Sequence, residues 1–294
     1  MAGPCRPPAD GSGAAAAVPD RPGAGGADVG DGAGATPGSD VPADRALPRN
    51  PWIHRGRVTG ARIRLYCFPF AGGSAASYLG WQAELGAQVQ VCAVEPPGRR
   101  QRRREPAIRR MDAMVDAVVA GLRPGLDEPF AFFGHSLGAL VAYEVARRLR
   151  AEGGPEPALL FLSAAAAPHL PRRRREIAAL PDTEFIDELR GHGGTPELLL
   201  ADHETMRLFL PALRADFELF ETYRHRSGDP PGCPVHIYGG RMDASVNTTQ
   251  LRAWRALLPT TVEVRTFPGD HFYLNSDRPA LLAAVAERLA GRLE

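Results

Sequence analysis

The sequence contains no lysine: all 35 basic residues among its 294 are arginine. That absence removes every chemistry that needs an amine able to lose or share its proton. A phosphate-loop lysine, a Schiff-base lysine and a Ser–Lys dyad are all excluded. Excess charge is missing as well. The 35 arginines face 34 acidic residues, for a formal net charge of +1, which argues against a protein that works by coating nucleic acid or an acidic membrane. Cysteine is scarce. Cys5, Cys67, Cys92 and Cys233 form no CxxC pair, so zinc-ribbon and thioredoxin-type sites are disfavoured. Four widely spaced cysteines in a chain this long fit free thiols in a reducing compartment. Long apolar runs are absent too: no stretch approaches the ~18–20 residues of a membrane span. Ala14–Val18 is too short and too weakly apolar for a secretory signal. The expectation is a soluble, cytoplasmic, monomeric protein that binds neither nucleic acid nor membrane and needs no cofactor or metal.

What is present divides near residue 50. In 1–50, 30 positions are Gly, Ala or Pro, none is aromatic, and the larger aliphatics are Val18, Val29, Val41 and Leu47. Such a segment buries too little surface to offset its ordering entropy, and disorder is expected. Its Gly11-Ser12-Gly13 starts like a dinucleotide fingerprint, but no strand precedes it. From Pro51 the pattern is globular, so residues 51–294 form the predicted domain.

Within that domain, strands are predicted at Arg62–Phe68, Val89–Val94, Phe130–Phe133, Ala158–Ser163, Val235–Tyr238 and Val262–Phe267. Helices are predicted at Met111–Leu122, Leu137–Leu149 and Pro279–Leu293, the last with Ser276 or Asp277 as N-cap. Short apolar strands alternating with helices imply an α/β fold, a mostly parallel sheet covered on both faces. One stretch breaks the alternation. About 168–226 has helical patches but no strand, with Met206, Phe209, Leu210, Leu213, Phe217 and Phe220 on one face and a kink expected at Pro211. An insertion there reads as a helical lid.

The strongest chemical signal is Gly134-His135-Ser136-Leu137-Gly138, a G-x-S-x-G between an apolar strand and a helix. That context is a nucleophile elbow. The turn is strained and neighbouring backbone must pass close by, so a Cβ at either glycine would clash. Ser136 needs a base to take its proton. Of eight histidines, His271 follows the strand Val262–Phe267, on the sheet edge where a partner must sit. Asp243 follows the strand Val235–Tyr238 on the same edge and is the candidate acid, with Asp270 and Asp216 as rivals. The order Ser136…Asp243…His271 is that of α/β-hydrolases. The oxyanion donors expected are the N–H of Leu137 and that of Ala71, with Phe70 as the alternative, in the loop Phe68–Ser74. The arginine runs Arg99–Arg104 (interrupted by Gln101) and Arg172–Arg175 read either as solvated faces or as docking patches for an acidic partner.

Five motifs together resemble one family. Phe68-Pro69-Phe70-Ala71-Gly72-Gly73-Ser74, Pro97-Gly98-Arg99, Gly134-His135-Ser136-Leu137-Gly138-Ala139, Gly239-Gly240-Arg241-Met242-Asp243 and Gly269-Asp270-His271-Phe272 are similar to the type II thioesterases, editing enzymes of polyketide and non-ribosomal peptide synthesis. The resemblance runs from about residue 60 to the C-terminus. It implies an α/β-hydrolase fold, a Ser136–Asp243–His271 triad and a lid around Gly194-Thr195-Pro196. It also implies, as substrate and partner, acyl groups stalled on the phosphopantetheine of an acyl or peptidyl carrier domain. The rival readings are a general carboxylesterase or lipase, a non-catalytic hydrolase-fold binding protein, and acyl transfer to an alcohol or amine.

Overall fold

The two central strands expose almost nothing: every residue of Phe130–His135 and Leu160–Ser163 is buried. Side chains alternate across a strand, so such strands need cover on both faces. A computed structural model supplies that cover. It describes residues 50–171, 175–194, 197–258 and 262–293. The expected disordered head up to residue 49 and Cys5 lie outside those residues, as do Arg172–Arg174, Thr195 and Pro196.

In chain order the regular elements are β1 (Ile53–Arg55), β2 (Ile63–Phe68), α1 (Trp81–Leu85), β3 (Val89–Val94), α2 (Met111–Leu122), β4 (Phe130–His135), α3 (Leu137–Ala151) and β5 (Leu160–Ser163). There follow α4 (Asp182–His192), α5 (Glu197–Ala201), α6 (His203–Thr222), β6 (Val235–Gly240), α7 (Thr248–Arg252), β7 (Glu263–Phe267), α8 (Tyr273–Ser276) and α9 (Arg278–Ala290). The strands form one sheet in the order β1-β3-β2-β4-β5-β6-β7. All neighbours are parallel except β1, which pairs antiparallel with β3 at the edge. Alternation splits the core in two. Phe132 and Leu162 pack with Met114, Val118, Leu140 and Val145 of α2 and α3. Phe133 and Phe161 pack on the other side with Trp81 of α1 and Leu281 and Val285 of α9.

The predicted strands and helices stand within a few residues of their expected limits. Three details differ. The three-residue β1 was not foreseen, being too short to carry a period. Asp277 holds the N-cap position of α9, but its side chain makes no capping bond. Phe209 is 42% exposed, whereas Met206, Leu210 and Leu213 are buried: at ~100° per residue, 209 stands at the margin of the stripe that 206, 210 and 213 share. α6 continues as helix through Pro211. Among the described residues between β5 and β6 there is no strand, as the insertion predicted, and α4, α5 and α6 pack around a small core of their own that includes Phe185, Leu189 and Met206. Cys67, Cys92 and Cys233 are buried free thiols. No helix among the described residues is long and apolar enough to cross a membrane.

Parallel pairing sends the C-terminal ends of β4, β6 and β7 to one edge, where α/β sheets place their sites. At that edge the elbow is packed without slack. A Cβ on Gly134 would lie 2.3 Å from the Gly138 carbonyl oxygen, and one on Gly138 would lie 2.2 Å from the carbonyl oxygen of Phe68. The loop after β2 is thereby drawn against the start of α3. Gly138→Ala should cost about 3 kcal/mol or more, because backbone rather than a flexible side chain must yield; urea unfolding will measure it, and an unchanged midpoint would contradict this packing.

Candidate active site

Ser136 stands between β4 and α3 with φ 55° and ψ −117°, a conformation in which a residue with a Cβ is strained. The strain is held by the Ser136 N–H, which donates to the Ser163 carbonyl (2.8 Å), and by the Ser136 carbonyl, which accepts from the Ala139 N–H (3.0 Å). The turn leaves the hydroxyl at the N-terminus of α3, the positive end of its dipole. Ser136 Oγ is 3.0 Å from His271 Nε2. On the far side of the ring, His271 Nδ1 is 2.8 Å from Asp243 Oδ2. The side chain of Asp243 is fully buried, and its other oxygen accepts the N–H groups of Ser245 (2.7 Å) and Val246 (3.0 Å). A buried carboxylate needs such partners, and here they fix which oxygen faces the imidazole.

The rival acids are engaged elsewhere. Asp270 is exposed and accepts the Phe272 N–H at 2.8 Å. Asp216 is buried against Arg99. Ser136 and His271 open onto a cavity of about 160 Å³, and Ala71 and Leu137, the two expected oxyanion donors, line it beside them. Its remaining wall is mostly apolar, with Leu140 and Ala164 from the sheet side and Leu189, Leu213, Phe217 and Phe220 from the insertion, and Ser245 and Gln250 as polar exceptions. No Arg, Asp or Glu lines it among the described residues. No cluster of three or more His, Cys, Asp or Glu stands among the described residues where a metal could be held.

A family model described as a thioesterase domain matches residues 63–291. The chain belongs to the thioesterase family. This thioesterase is 36% identical over 241 residues to the gramicidin S biosynthesis protein GrsT of Aneurinibacillus migulanus, covering 82% of this chain and 94% of that protein. It is 38% identical over 240 residues to thioesterase PikA5 of Streptomyces venezuelae, covering 81% and 85%. Its fold is similar to that of the type II thioesterase BorB from the borrelidin biosynthetic cluster, with a TM-score of 0.75 and 38% identity over 81% of this chain and 97% of that one. The resemblance drawn from five motifs, the α/β-hydrolase fold and the assignment as a hydrolytic enzyme are borne out.

Two features of the thioesterase site were not legible beforehand. The first is His135, the residue before Ser136. Its ring is fully buried, with Nδ1 2.8 Å from Ser163 Oγ. Ser163 Oγ lies in turn 2.5 Å from Tyr273 Oη. The His135 and His271 ring centres are 5.3 Å apart. Burial, reinforced by the neighbouring His271 imidazole, pushes the His135 pKa well below its ordinary value of 6.5. A neutral ring therefore backs His271. The second is Arg99. The run Arg99–Arg104 is not a uniform solvated or docking face, because Arg99 and Arg102 are buried. Arg102 pairs with Glu105 (2.6 Å) and lies over the Trp52 ring (4.1 Å). Of the second run only Arg175 is described, and it pairs with Glu184 and Glu188 of α4.

Folding holds His135 in its neutral form. Its contribution to stability is therefore complete above the unfolded histidine value of 6.5, and is lost as pH falls below it toward the folded value. In an NMR titration the His135 imidazole should stay neutral through the ordinary histidine value of 6.5; a normal step there would contradict its burial.

Proposed function

We propose that this thioesterase hydrolyses acyl groups carried as thioesters on the phosphopantetheine of acyl or peptidyl carrier domains. The release serves the editing of polyketide or non-ribosomal peptide assembly. Relatives named for gramicidin S and borrelidin biosynthesis support that setting. The observation that carries the reading is the relay from Asp243 through His271 to Ser136, 2.8 and 3.0 Å long, at the wall of an apolar cavity.

In this reading the reaction has two halves. Ser136 Oγ attacks the thioester carbonyl while His271 Nε2 takes the hydroxyl proton. Asp243 holds the ring tautomer and stabilises the imidazolium. The carbonyl oxygen gains negative charge and is met by the N–H groups of Leu137 and Ala71, each worth about 2.7–4 kcal/mol in the transition state. The C–S bond then breaks, and the pantetheine sulfur leaves with the proton from His271. A thiol of pKa ~8.5 is a good leaving group. Water next gives a proton to His271 and attacks the Ser136 ester, and collapse returns the proton to Ser136 Oγ and frees the acid. The apolar wall suits an uncharged acyl group. The insertion acts as a lid, since Leu189, Leu213, Phe217 and Phe220 complete the wall.

Ser136→Ala should lower kcat by ~10⁴-fold or more with little change in the unfolding midpoint; turnover at the parent rate would remove Ser136 from the role. The carrier-bound thioester should also be cleaved with a higher kcat/KM than a free ester of the same acyl group, in a direct comparison of the two substrates. Preference for the free ester would favour a general esterase instead.

A further inference from the structure

The loop that supplies Ala71 is gripped from behind by a buried ion pair. Arg99, on the loop after β3, and Asp216, on α6, are only 7% and 2% exposed. Arg99 Nη2 donates to both Asp216 oxygens, at 2.7 and 2.8 Å. The same two residues hold the loop at two points, the 71–72 and 73–74 peptides. Arg99 Nη1 donates to the Gly73 carbonyl (2.8 Å), and the Gly72 N–H donates to Asp216 Oδ2 (2.7 Å). A further bond, from the Gly73 N–H to the Phe70 carbonyl (2.8 Å), closes the turn. Phe70 and Ala71 stand at the cavity wall beside Ser136. Gly72, next in the chain, has φ 76°, so the turn is a special conformation that needs holding.

A buried ion pair is weak evidence for stability. Replacing one with apolar residues of similar volume is often neutral. What an apolar pair could not do is bind an N–H and a C=O of the loop at once. We propose that Arg99 and Asp216 are positioning residues for the reaction: together they fix the turn that carries the Ala71 donor and tie it to α6, so that the oxyanion site and the insertion are set as one piece. Asp216 sits between Leu213 and Phe217, which line the acyl cavity from that same helix. Acyl binding against α6 is thereby linked to the donor's place. The proposal rests on the reading of Ala71 as an oxyanion donor. A misplacement of about 1 Å is enough to cost ~10²-fold in rate, and loss of one such donor costs ~10²–10³ in kcat.

The test is the double variant Arg99→Met/Asp216→Leu, which removes both charges and leaves no buried ion unpaired. Thermal unfolding and active-site titration with a fluorophosphonate establish the folded, reactive fraction. Per reactive site, kcat on an acyl-carrier thioester should fall at least tenfold with KM within about twofold. Affinity for a trifluoromethyl ketone analogue of the substrate, whose Ser136 adduct places an oxyanion, should fall by the same factor as kcat. Affinity for the matching uncleavable thioether should not change. A purely structural pair would lower the unfolding midpoint or the reactive fraction and leave kcat per site and the ketone-to-thioether ratio as in the parent, and that result overturns the proposal. Should the double variant not fold, Asp216→Asn carries the same comparison: a lowered ratio supports the proposal, and an unchanged one overturns it. Failure of the catalytic reading shows differently, as a parent enzyme that binds the ketone no more tightly than the thioether, and it removes this proposal as well.

Discussion

The constraint on which the site depends is the strained backbone at Ser136. A φ of 55° at a residue with a Cβ costs on the order of 1–3 kcal/mol, and it persists only because the surroundings leave no alternative. β4 fixes the chain on one side through its parallel partners β2 and β5, and α3 begins immediately on the other. The glycines at 134 and 138 let backbone meet backbone at distances that a side chain would forbid. The same tightness that lifts the hydroxyl to the sheet edge brings the loop after β2 within reach of it. The proposed nucleophile and the proposed oxyanion loop are thus consequences of one packing event.

Two buried carboxylates stand at the active edge, and each has both oxygens engaged. Asp243 uses one oxygen for His271 and the other for two backbone N–H groups. Asp216 uses its oxygens for Arg99 and the Gly72 N–H. In each case a carboxylate that would be costly alone organises loops that come from distant parts of the chain. The first gathers the ends of β6 and β7. The second gathers the ends of β2 and β3 and the long helix of the insertion. Between them, the loops after β2, β3, β6 and β7 are tied to a buried carboxylate.

The legible and illegible parts divide along physical lines. Ser136, Asp243 and His271 could be read because each follows a strand of a parallel sheet, and parallel strands deliver their C-terminal loops to one edge whatever their order. Local pattern sufficed for the strands and for most of the α6 stripe. It failed for Arg99, whose position in an arginine-rich run suggests solvent. Its partner lies 117 residues away, and no local period reports the burial of a charged side chain paired at that range. His135 failed for a related reason: its supports, Ser163 and Tyr273, come from β5 and α8 and are ordinary residues in their own segments. Asp216 was weighed only as an acid for the imidazole, since sequence shows which groups can ionise but not which way they face.

The proposed relay does not by itself select thioesters over esters, because the same three side chains serve both. The difference lies in what each bond asks of the site. A thiolate departs readily, so protonation of the leaving group by His271 is less demanding than for an alkoxide, and the larger share of catalysis falls on holding the developing oxyanion and keeping the acyl chain in place. Those are the tasks proposed for the Ala71 loop and for the apolar wall that α4 and α6 contribute. Selectivity on this scaffold is therefore expected to lie in the insertion, whose cavity-lining side chains can differ without disturbing the elbow.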